Sequence, residues 1–222
     1  MTENTPYIIW DWNGTLLDDT QAALDTLNTM LSARGGKKIT MEFYRDNFSF
    51  PVKPFYKSIG VCLEQEDWDA LAVEYHDLYA MQPKSLNSQT IKTLQMAATA
   101  ASGQSILSAL RQDLLDEATS EYAVAPFMDF VFGVDNLDGE SKLSRGRQLL
   151  KLLSDEGHSN FVLIGDSLHD FEVADALGIG CVLCAQGSHA LWRLRQVAPT
   201  GKTLPEALTL AISQKGEAQK VV

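Results

Sequence analysis

The chain has 222 residues, of which 45% are hydrophobic and 21% are charged. This composition is typical of a globular protein with a hydrophobic core, and the length suggests one domain with a large insertion or two small domains. Lysine and arginine number 18 against 29 aspartate and glutamate residues, which gives a net charge of -11. Because so negative a surface repels phosphate backbones and anionic lipids, we expect neither a nucleic acid nor a membrane as a partner.

The first residues and the cysteines bear on the cellular compartment. The first residues lack the basic and apolar regions of a signal peptide, and no run approaches the roughly 18 apolar residues of a membrane span. Cys181 and Cys184 lie in a predicted β-strand, on which residues three apart point to opposite faces. The two thiols are therefore not expected to share a metal, and we expect a reduced, cytoplasmic protein.

Short segments that are apolar throughout predict β-strands covered on both faces of a sheet. In chain order these strands are predicted at residues 7–10, 105–107, 130–134, 161–164 and 180–184. Helical patterns at residues 144–153 and 170–177 lie between the later strands. Strands that alternate with helices indicate a doubly wound parallel sheet of the α/β class.

Residues 18–85 interrupt this alternation with helical patterns alone. Asp18 or Asp19 can cap the first predicted helix of this segment. Further helices are predicted at about residues 41–48 and 66–81, and prolines mark a loop between them. The pattern therefore predicts a helical insertion after the first strand.

Polar side chains follow three of the predicted strands. Asp11, Ser108 and Asp166 each come directly after a strand, and the carboxyl ends of parallel strands meet at one edge of a sheet. Asp170 lies one helical turn after Asp166, and Lys142 precedes the helix before that strand. Carboxylates can hold Mg2+ or attack phosphorus, and a lysine and a hydroxyl can stabilise the transferring group. The set therefore favours phosphoryl-transfer chemistry.

These residues stand in four motifs by which the chain resembles the haloacid dehalogenase superfamily of phosphohydrolases over nearly its whole length. The first motif, D-x-D-G-T, matches residues 11–15, and the fourth, G-D-x-x-x-D, matches residues 165–170. The second motif ends a strand in Ser or Thr, here Ser108, and the third is a lysine before a helix, here Lys142. The insertion resembles the helical cap of phosphoglycolate phosphatase-like members.

The resemblance implies an α/β fold, with a Rossmann-like doubly wound parallel sheet as its core and an inserted α-helical cap domain. It divides the chain into a catalytic core of residues 1–17 and 86–222 and a cap of residues 18–85. It also implies roles for single residues. Asp11 would be the nucleophile, and the groups that hold the phosphate would be Ser108, the amide of Ala109 and Lys142. The implied cofactor is Mg2+, bound by Asp11, the backbone carbonyl of Asn13, Asp166 and Asp170, of which Asp170 binds through water or orients Lys142.

One residue departs from the family pattern. Asn13 stands where the family has the aspartate that serves as general acid and base, and an amide cannot supply that proton transfer. General acid-base catalysis contributes roughly 100- to 10,000-fold to a rate. Two interpretations therefore stay open: a phosphatase assisted by water or by His169, and a phosphate-binding or regulatory protein with lost or weak turnover. On the first, Asn13→Asp is expected to gain most on alkyl phosphates.

The segment around Arg45 and Lys53 combines cations with aromatic residues and prolines. We expect Arg45 to bind an anionic substrate from the cap, and the alternative is a solvated junction between a helix and a loop. The sequence as a whole predicts a cytoplasmic, Mg2+-dependent phosphatase that hydrolyses a small, phosphoglycolate-like metabolite through a phosphorylated Asp11. It leaves open the exact substrate and the choice between a monomer and a homodimer.

Overall fold

The computed structural model of the protein describes residues 5–64, 66–134 and 142–214. Its strands, in chain order, are β1 (Tyr7–Trp10), β2 (Leu17–Asp18), β3 (Ser85–Leu86), β4 (Gln104–Arg111), β5 (Val131–Val134), β6 (Phe161–Gly165), β7 (Gly180–Cys184) and β8 (Thr200–Gly201). Its helices are α1 (Thr20–Ala33), α2 (Met41–Asn47), α3 (Val52–Ser58), α4 (Trp68–Ala80), α5 (Thr90–Ala100), α6 (Gln112–Glu121), α7 (Lys142–Asp155), α8 (Leu168–Leu177), α9 (Leu191–Leu194) and α10 (Leu204–Ser213). A short 3-10 helix spans Ala125–Phe127.

The larger sheet runs in the order β5-β4-β1-β6-β7-β8, and every adjacent pair in it is parallel. The chain starts at the centre with β1, adds β4 and β5 on one side, and then adds β6, β7 and β8 on the other. The strand order therefore reverses beside β1, and a crevice opens at the carboxyl end of that strand, where open α/β sheets bind their ligands. The predicted doubly wound parallel sheet is confirmed.

Helices cover both faces of this sheet because its central strands are apolar on both sides. Trp10 of β1 packs in one buried cluster with residues of α5 and α10, whereas Ile9 packs in a second cluster with residues of α7 and α8. Cys184 and Cys181 are free thiols and fall in the first and second cluster respectively, as their spacing on a strand predicts. None of the helices in the described part of the chain is long and apolar enough to cross a membrane.

Helices α1 to α4 form the helical insertion, which buries a third hydrophobic cluster. The fully buried members of that cluster all come from residues 24–71. At the ends of the insertion, β2 and β3 form a separate antiparallel ribbon that pairs Leu17 with Leu86 and Asp18 with Ser85. The chain therefore leaves and re-enters the rest of the protein through two strands that lie side by side.

Two details differ from the sequence-based expectation. β4 extends to Arg111, so Ser108 lies inside a strand, next to an irregularity in its pairing with β5, and not at the strand's end. The loop expected around Pro51 and Pro54 contains helix α3, with Pro54 as its third residue. Proline is tolerated there because the first N–H groups of a helix have no partner within the helix.

Candidate active site

Asp11 lies directly after β1, at the crevice. Its backbone N–H donates to the Ile164 carbonyl oxygen at 2.8 Å, which extends the pairing of β1 with β6 by one residue. The residue is only 7% exposed, and burial raises the pKa of its carboxyl well above the ordinary value although Lys142 acts in the opposite direction. A carboxylate in this position therefore depends on a cation close to it.

Lys142, the first residue of α7, joins two buried carboxylates. Its Nζ donates to Asp11 Oδ1 and to Asp170 Oδ1, both at 2.5 Å. Burial lowers the pKa of the Lys142 ammonium, but the two carboxylates outweigh this effect and the pKa lies above its ordinary value. Lys142 therefore remains charged and neutralises part of the acidic cluster.

Asp170 is held by a capping box at the start of α8. Ser167 Oγ accepts the Asp170 N–H, and Asp170 Oδ2 accepts from the Ser167 N–H at 3.0 Å and from Ser167 Oγ at 2.6 Å. Burial raises the pKa of Asp170, but Lys142 and Ser167 outweigh it, so the pKa lies below the ordinary value. Both carboxylate oxygens of Asp170 are thus engaged within the protein.

Asp166 follows β6 and accepts hydrogen bonds from two loops. Its Oδ2 accepts from the N–H and the hydroxyl of Ser188, each at 2.6 Å, and its Oδ1 accepts from Thr15 Oγ1 at 3.3 Å. Burial, together with Asp170, raises the pKa of Asp166 to about 7. A Cβ atom at Gly14, which has φ +73, would overlap the Asp166 carboxylate, so glycine is required there. Ser188, in the loop after β7, is a site residue that the sequence motifs do not include.

Asp11, Asp166 and Asp170 form an acidic cluster in which each offers an oxygen within 4.8 Å of the other two. When ionised, the three carboxylates face one ammonium, that of Lys142, which leaves two excess negative charges in a buried place. Carboxylate oxygens are the ligands that Mg2+ prefers, so the cluster fits a divalent cation. Asp166, whose hydrogen-bond donors are neutral groups, suits direct ligation together with Asp11, whereas Asp170, whose Oδ1 accepts from the Lys142 ammonium, suits the role of orienting Lys142.

Ser108 and Ala109 belong to β4, which lies next to β1. Trp10 pairs with Ile106, and continuing this register places Ser108 one residue beyond the level of Asp11. Ser108 is buried and its Oγ accepts the Leu110 N–H at 3.1 Å, whereas Ala109 is exposed. The fold therefore brings both residues to the crevice beside Asp11, and their contact with a phosphate stays a prediction.

Arg45, on α2, lies at the side of the crevice formed by the loop after β7. Its Nε and one Nη donate to the carbonyl oxygens of Gly187 and Gln186, each at 2.9 Å. Arg45 therefore ties the helical insertion to the loop that carries Ser188. It also lines, with Gly14, a cavity of about 440 Å³. Two of its donors are engaged by the protein, and its predicted contact with substrate stays a prediction.

Asn13 is held by two residues that the sequence motifs do not include in the site. Its Nδ2 donates to Asp19 Oδ2 at 2.7 Å and to the Tyr79 hydroxyl at 3.2 Å. Asp19 precedes α1 but its side chain does not cap that helix, because Oδ1 accepts the Gly14 N–H at 2.7 Å instead. Burial raises the pKa of Asp19, and hydrogen bonds from Tyr79, Asn13 and Gly14 oppose that shift. The one sequence signal for this pair is the amide itself, since N–H groups that are partly shielded from water need acceptors.

The chain matches a family model described as haloacid dehalogenase-like hydrolase over residues 8–184. No curated protein is significantly similar to it in sequence. Among solved structures, a haloacid dehalogenase-like family hydrolase from Streptococcus pneumoniae is 18% identical with a TM-score of 0.69, over 95% of this chain and 99% of that one. A predicted phosphoglycolate phosphatase from Haemophilus somnus 129PT is 13% identical with a TM-score of 0.68, over 95% of this chain and 99% of that one.

A third similar structure is protein tyrosine kinase A from Mycobacterium tuberculosis, at 18% identity and a TM-score of 0.73, over 94% of this chain and 99% of that one. At these identities the likeness establishes the fold alone. Because the names of these proteins include both hydrolases and a kinase, the activity has to be argued from the site.

We expect Lys142→Met to lower the free energy of unfolding by about 3 to 5 kcal/mol, because it leaves the carboxylates of Asp11 and Asp170 buried without their cation. Urea unfolding in EDTA measures this loss. Lys151→Met on the same helix is the matched control, since the Lys151 and Asp155 side chains are 77% and 64% exposed. Its expected loss is much smaller, because an exposed ion pair contributes little to stability. Equal losses in the two variants would contradict the central role of Lys142.

Proposed function

We propose, since the chain belongs to the haloacid dehalogenase-like hydrolase family, that it is a Mg2+-dependent phosphatase that acts through a phospho-aspartate on Asp11. The observation that carries this proposal is the position of Asp11. It is a buried carboxylate at the carboxyl end of the central strand, fixed by Lys142 and close to two further carboxylates. A carboxylate that is oriented in this way is suited to nucleophilic attack on phosphorus.

The reaction would run in two steps. In the first, a carboxylate oxygen of Asp11 attacks phosphorus, an acyl phosphate forms, and the bond to the leaving oxygen breaks, so that the leaving group departs with the electron pair and takes a proton from water. Lys142 would fix the nucleophile and place positive charge beside the arriving phosphoryl group, which Ser108 and the amide of Ala109 would bind from β4. In the second, water attacks the phosphorus, the bond between phosphorus and the Asp11 oxygen breaks, Asp11 recovers its carboxylate, and inorganic phosphate leaves with the oxygen and both protons of that water.

Asp11 and Asp166 are the side chains that would hold Mg2+, with the backbone carbonyl of Asn13 as a further ligand. The bound ion would neutralise negative charge on the phosphoryl oxygens. The excess of carboxylates over ammonium groups in the cluster supports this assignment, because buried negative charge requires compensation. Asp170 would keep Lys142 in place.

We also propose that residues 18–85 form a cap over a core of residues 1–17 and 86–222. The separate hydrophobic cluster of the helical insertion and the ribbon of β2 and β3 support this division. Residues 1–4, 65, 135–141 and 215–222 of these domains lie outside the described residues. The cytoplasmic location expected from the sequence stays a prediction.

The substrate in this proposal is a small phosphorylated metabolite of the phosphoglycolate type. The helical insertion contacts both sides of the crevice, through Arg45 on α2 and Tyr79 on α4. The cavity of about 440 Å³ beside Gly14 suits a ligand of modest size. A cap that closes over such a space admits small substrates and excludes water and bulky groups.

The second candidate is a phosphate-binding or regulatory protein with lost or weak turnover. Asn13 favours it, because an amide cannot serve as a general acid or base. Hydrolysis of p-nitrophenyl phosphate with and without Mg2+, beside calorimetric binding of inorganic phosphate, separates the two. Hydrolysis that requires Mg2+ supports the phosphatase, whereas phosphate binding without turnover on a panel of phosphorylated metabolites supports the second candidate.

If Asp11 is the nucleophile, Asp11→Asn should reduce phosphate release by about 1,000-fold or more, since no acyl phosphate can form. The measurement is phosphate release from p-nitrophenyl phosphate, with intact mass recorded to exclude deamidation back to aspartate. Asp25→Asn, at an exposed position of α1, is the matched control and should retain full activity. Activity of Asp11→Asn close to that of the control would remove Asp11 from this role.

The metal assignment predicts that Mg2+ raises the melting temperature of the protein. Saturation at about 100 times Kd should raise it by about 5 °C or more, because the ion binds the folded state alone. Asp166→Ala should abolish this shift, whereas Asp175→Ala, at an exposed position of α8, should retain it. Thermal unfolding against Mg2+ concentration checks both, and an equal shift in the two variants would place the ion elsewhere.

A further inference from the structure

Beside the nucleophile, a buried carboxylate and a phenol hold the amide of Asn13. Asp19 is 6% exposed and accepts three hydrogen bonds, from Asn13 Nδ2 and the Gly14 N–H, each at 2.7 Å, and from the Tyr79 hydroxyl. The Tyr79 hydroxyl in turn accepts from Asn13 Nδ2 at 3.2 Å. The amide nitrogen of Asn13 is therefore directed at this pair of oxygens.

These contacts determine which way the amide faces. Because an ionised carboxylate only accepts hydrogen bonds, the nitrogen of Asn13 must face Asp19, and Oδ1 is the atom that remains. In the described part of the chain Asn13 Oδ1 accepts no hydrogen bond, and the residue is half-buried. Oδ1 is thus available to a donor from outside the protein, such as a hydroxyl group or a water molecule.

The two partners of Asn13 come from different parts of the helical insertion. Asp19 directly precedes α1, and Tyr79 lies near the end of α4. Asp19 also binds the backbone of Gly14, so it fixes the loop that follows β1 as well as the side chain of Asn13. The conformation of this loop is therefore set by the insertion together with the sheet.

We propose that Asp19 and Tyr79 are positioning residues that require an amide at position 13 and hold its Oδ1 as a fixed hydrogen-bond acceptor near Asp11. The amide at 13 and the carboxylate at 19 form a matched pair, and the acceptor serves to orient the hydroxyl of the substrate or the attacking water. The orienting role of Asn13 Oδ1 rests on the proposed function. The effect of the matched pair on the stability of the protein is independent of any activity.

The pair predicts how single and double substitutions differ. Asn13→Asp removes the N–H donors and brings two carboxylates together, which repel each other in a buried place. Asp19→Asn leaves one acceptor oxygen where Asn13, Gly14 and the Tyr79 hydroxyl all donated. The hydroxyl can accept instead, but if the oxygen binds the Gly14 N–H, the amide nitrogen at position 19 faces the amide nitrogen of Asn13. In the swap Asn13→Asp/Asp19→Asn, the amide now at position 19 accepts from the Gly14 N–H and donates to the carboxylate at position 13. The swap therefore restores the hydrogen bonds in the reverse direction.

A double-mutant cycle on melting temperature, measured in EDTA, tests the pair without reference to catalysis. We expect each single variant to lose about 5 °C and the swap to recover more than half of the summed loss, because contacting partners are not additive. Such a recovery supports the matched pair. A swap whose loss equals the sum of the two single losses would overturn it, even if both single variants are destabilised.

The kinetic part is tested with Tyr79→Phe, which removes one hydroxyl and keeps the ring. Tyr75→Phe is the matched control, since Tyr75 lies one turn earlier on α4, stacks on Tyr79 at 5.9 Å, and has no hydrogen bond from its hydroxyl in the described chain. We expect Tyr79→Phe to lower kcat by about 10-fold with KM little changed, since one hydrogen bond that orients Asn13 is lost.

A control variant that loses as much kcat as Tyr79→Phe would contradict the positioning role, as would a loss confined to KM. If the wild-type protein hydrolyses no phosphorylated substrate, the proposed function fails, and the stability cycle alone decides whether Asn13 and Asp19 are a matched pair. The two failures are therefore distinguishable.

Discussion

The rest of the site depends on the Lys142 ammonium, which lies between the carboxylates of Asp11 and Asp170 at 2.5 Å from each. Buried carboxylates are disfavoured without a nearby cation, and in the described chain this lysine is the cation that contacts them. The fold meets that constraint with three different elements: the end of the central strand, the first turn of α7 and the capping box of α8. A shift in any one of them would separate the charges, so the geometry of Asp11 is fixed by the packing of the whole sheet.

The helical insertion is linked to this geometry at two places. Arg45 on α2 binds carbonyl oxygens of the loop that carries Ser188, and Ser188 holds Asp166 through its N–H and hydroxyl. Tyr79 on α4 binds Asp19, which fixes the loop after β1. A movement of the insertion away from the crevice would break contacts next to both the acidic cluster and the loop after β1. The position of the insertion and the order of the site are therefore physically coupled.

Much of the fold could be predicted from local patterns, because the central strands are apolar throughout and their polar residues follow at the strand ends. Asp11 and Asp166 are of this kind. β8, with two residues, and α5, whose buried positions include threonine and alanine, carry too weak a pattern to be recognised. Ser188 lies 22 residues after Asp166, and its role depends on the loop after β7 folding back over the crevice. Contacts of this kind have no signature in a single sequence.

Asn13 shows why a departure from a motif has to be interpreted within the fold. Considered alone, it is a missing acid, and replacing it with aspartate would restore what is missing. In the fold it is the donor to the buried carboxylate of Asp19, and an aspartate at position 13 would place like charges within hydrogen-bond distance of each other. On the inference above, the amide therefore stabilises the folded protein whatever reaction the protein catalyses. If Asp11 acts as proposed, its reaction then proceeds with a hydrogen-bond acceptor, and not a proton donor, at position 13.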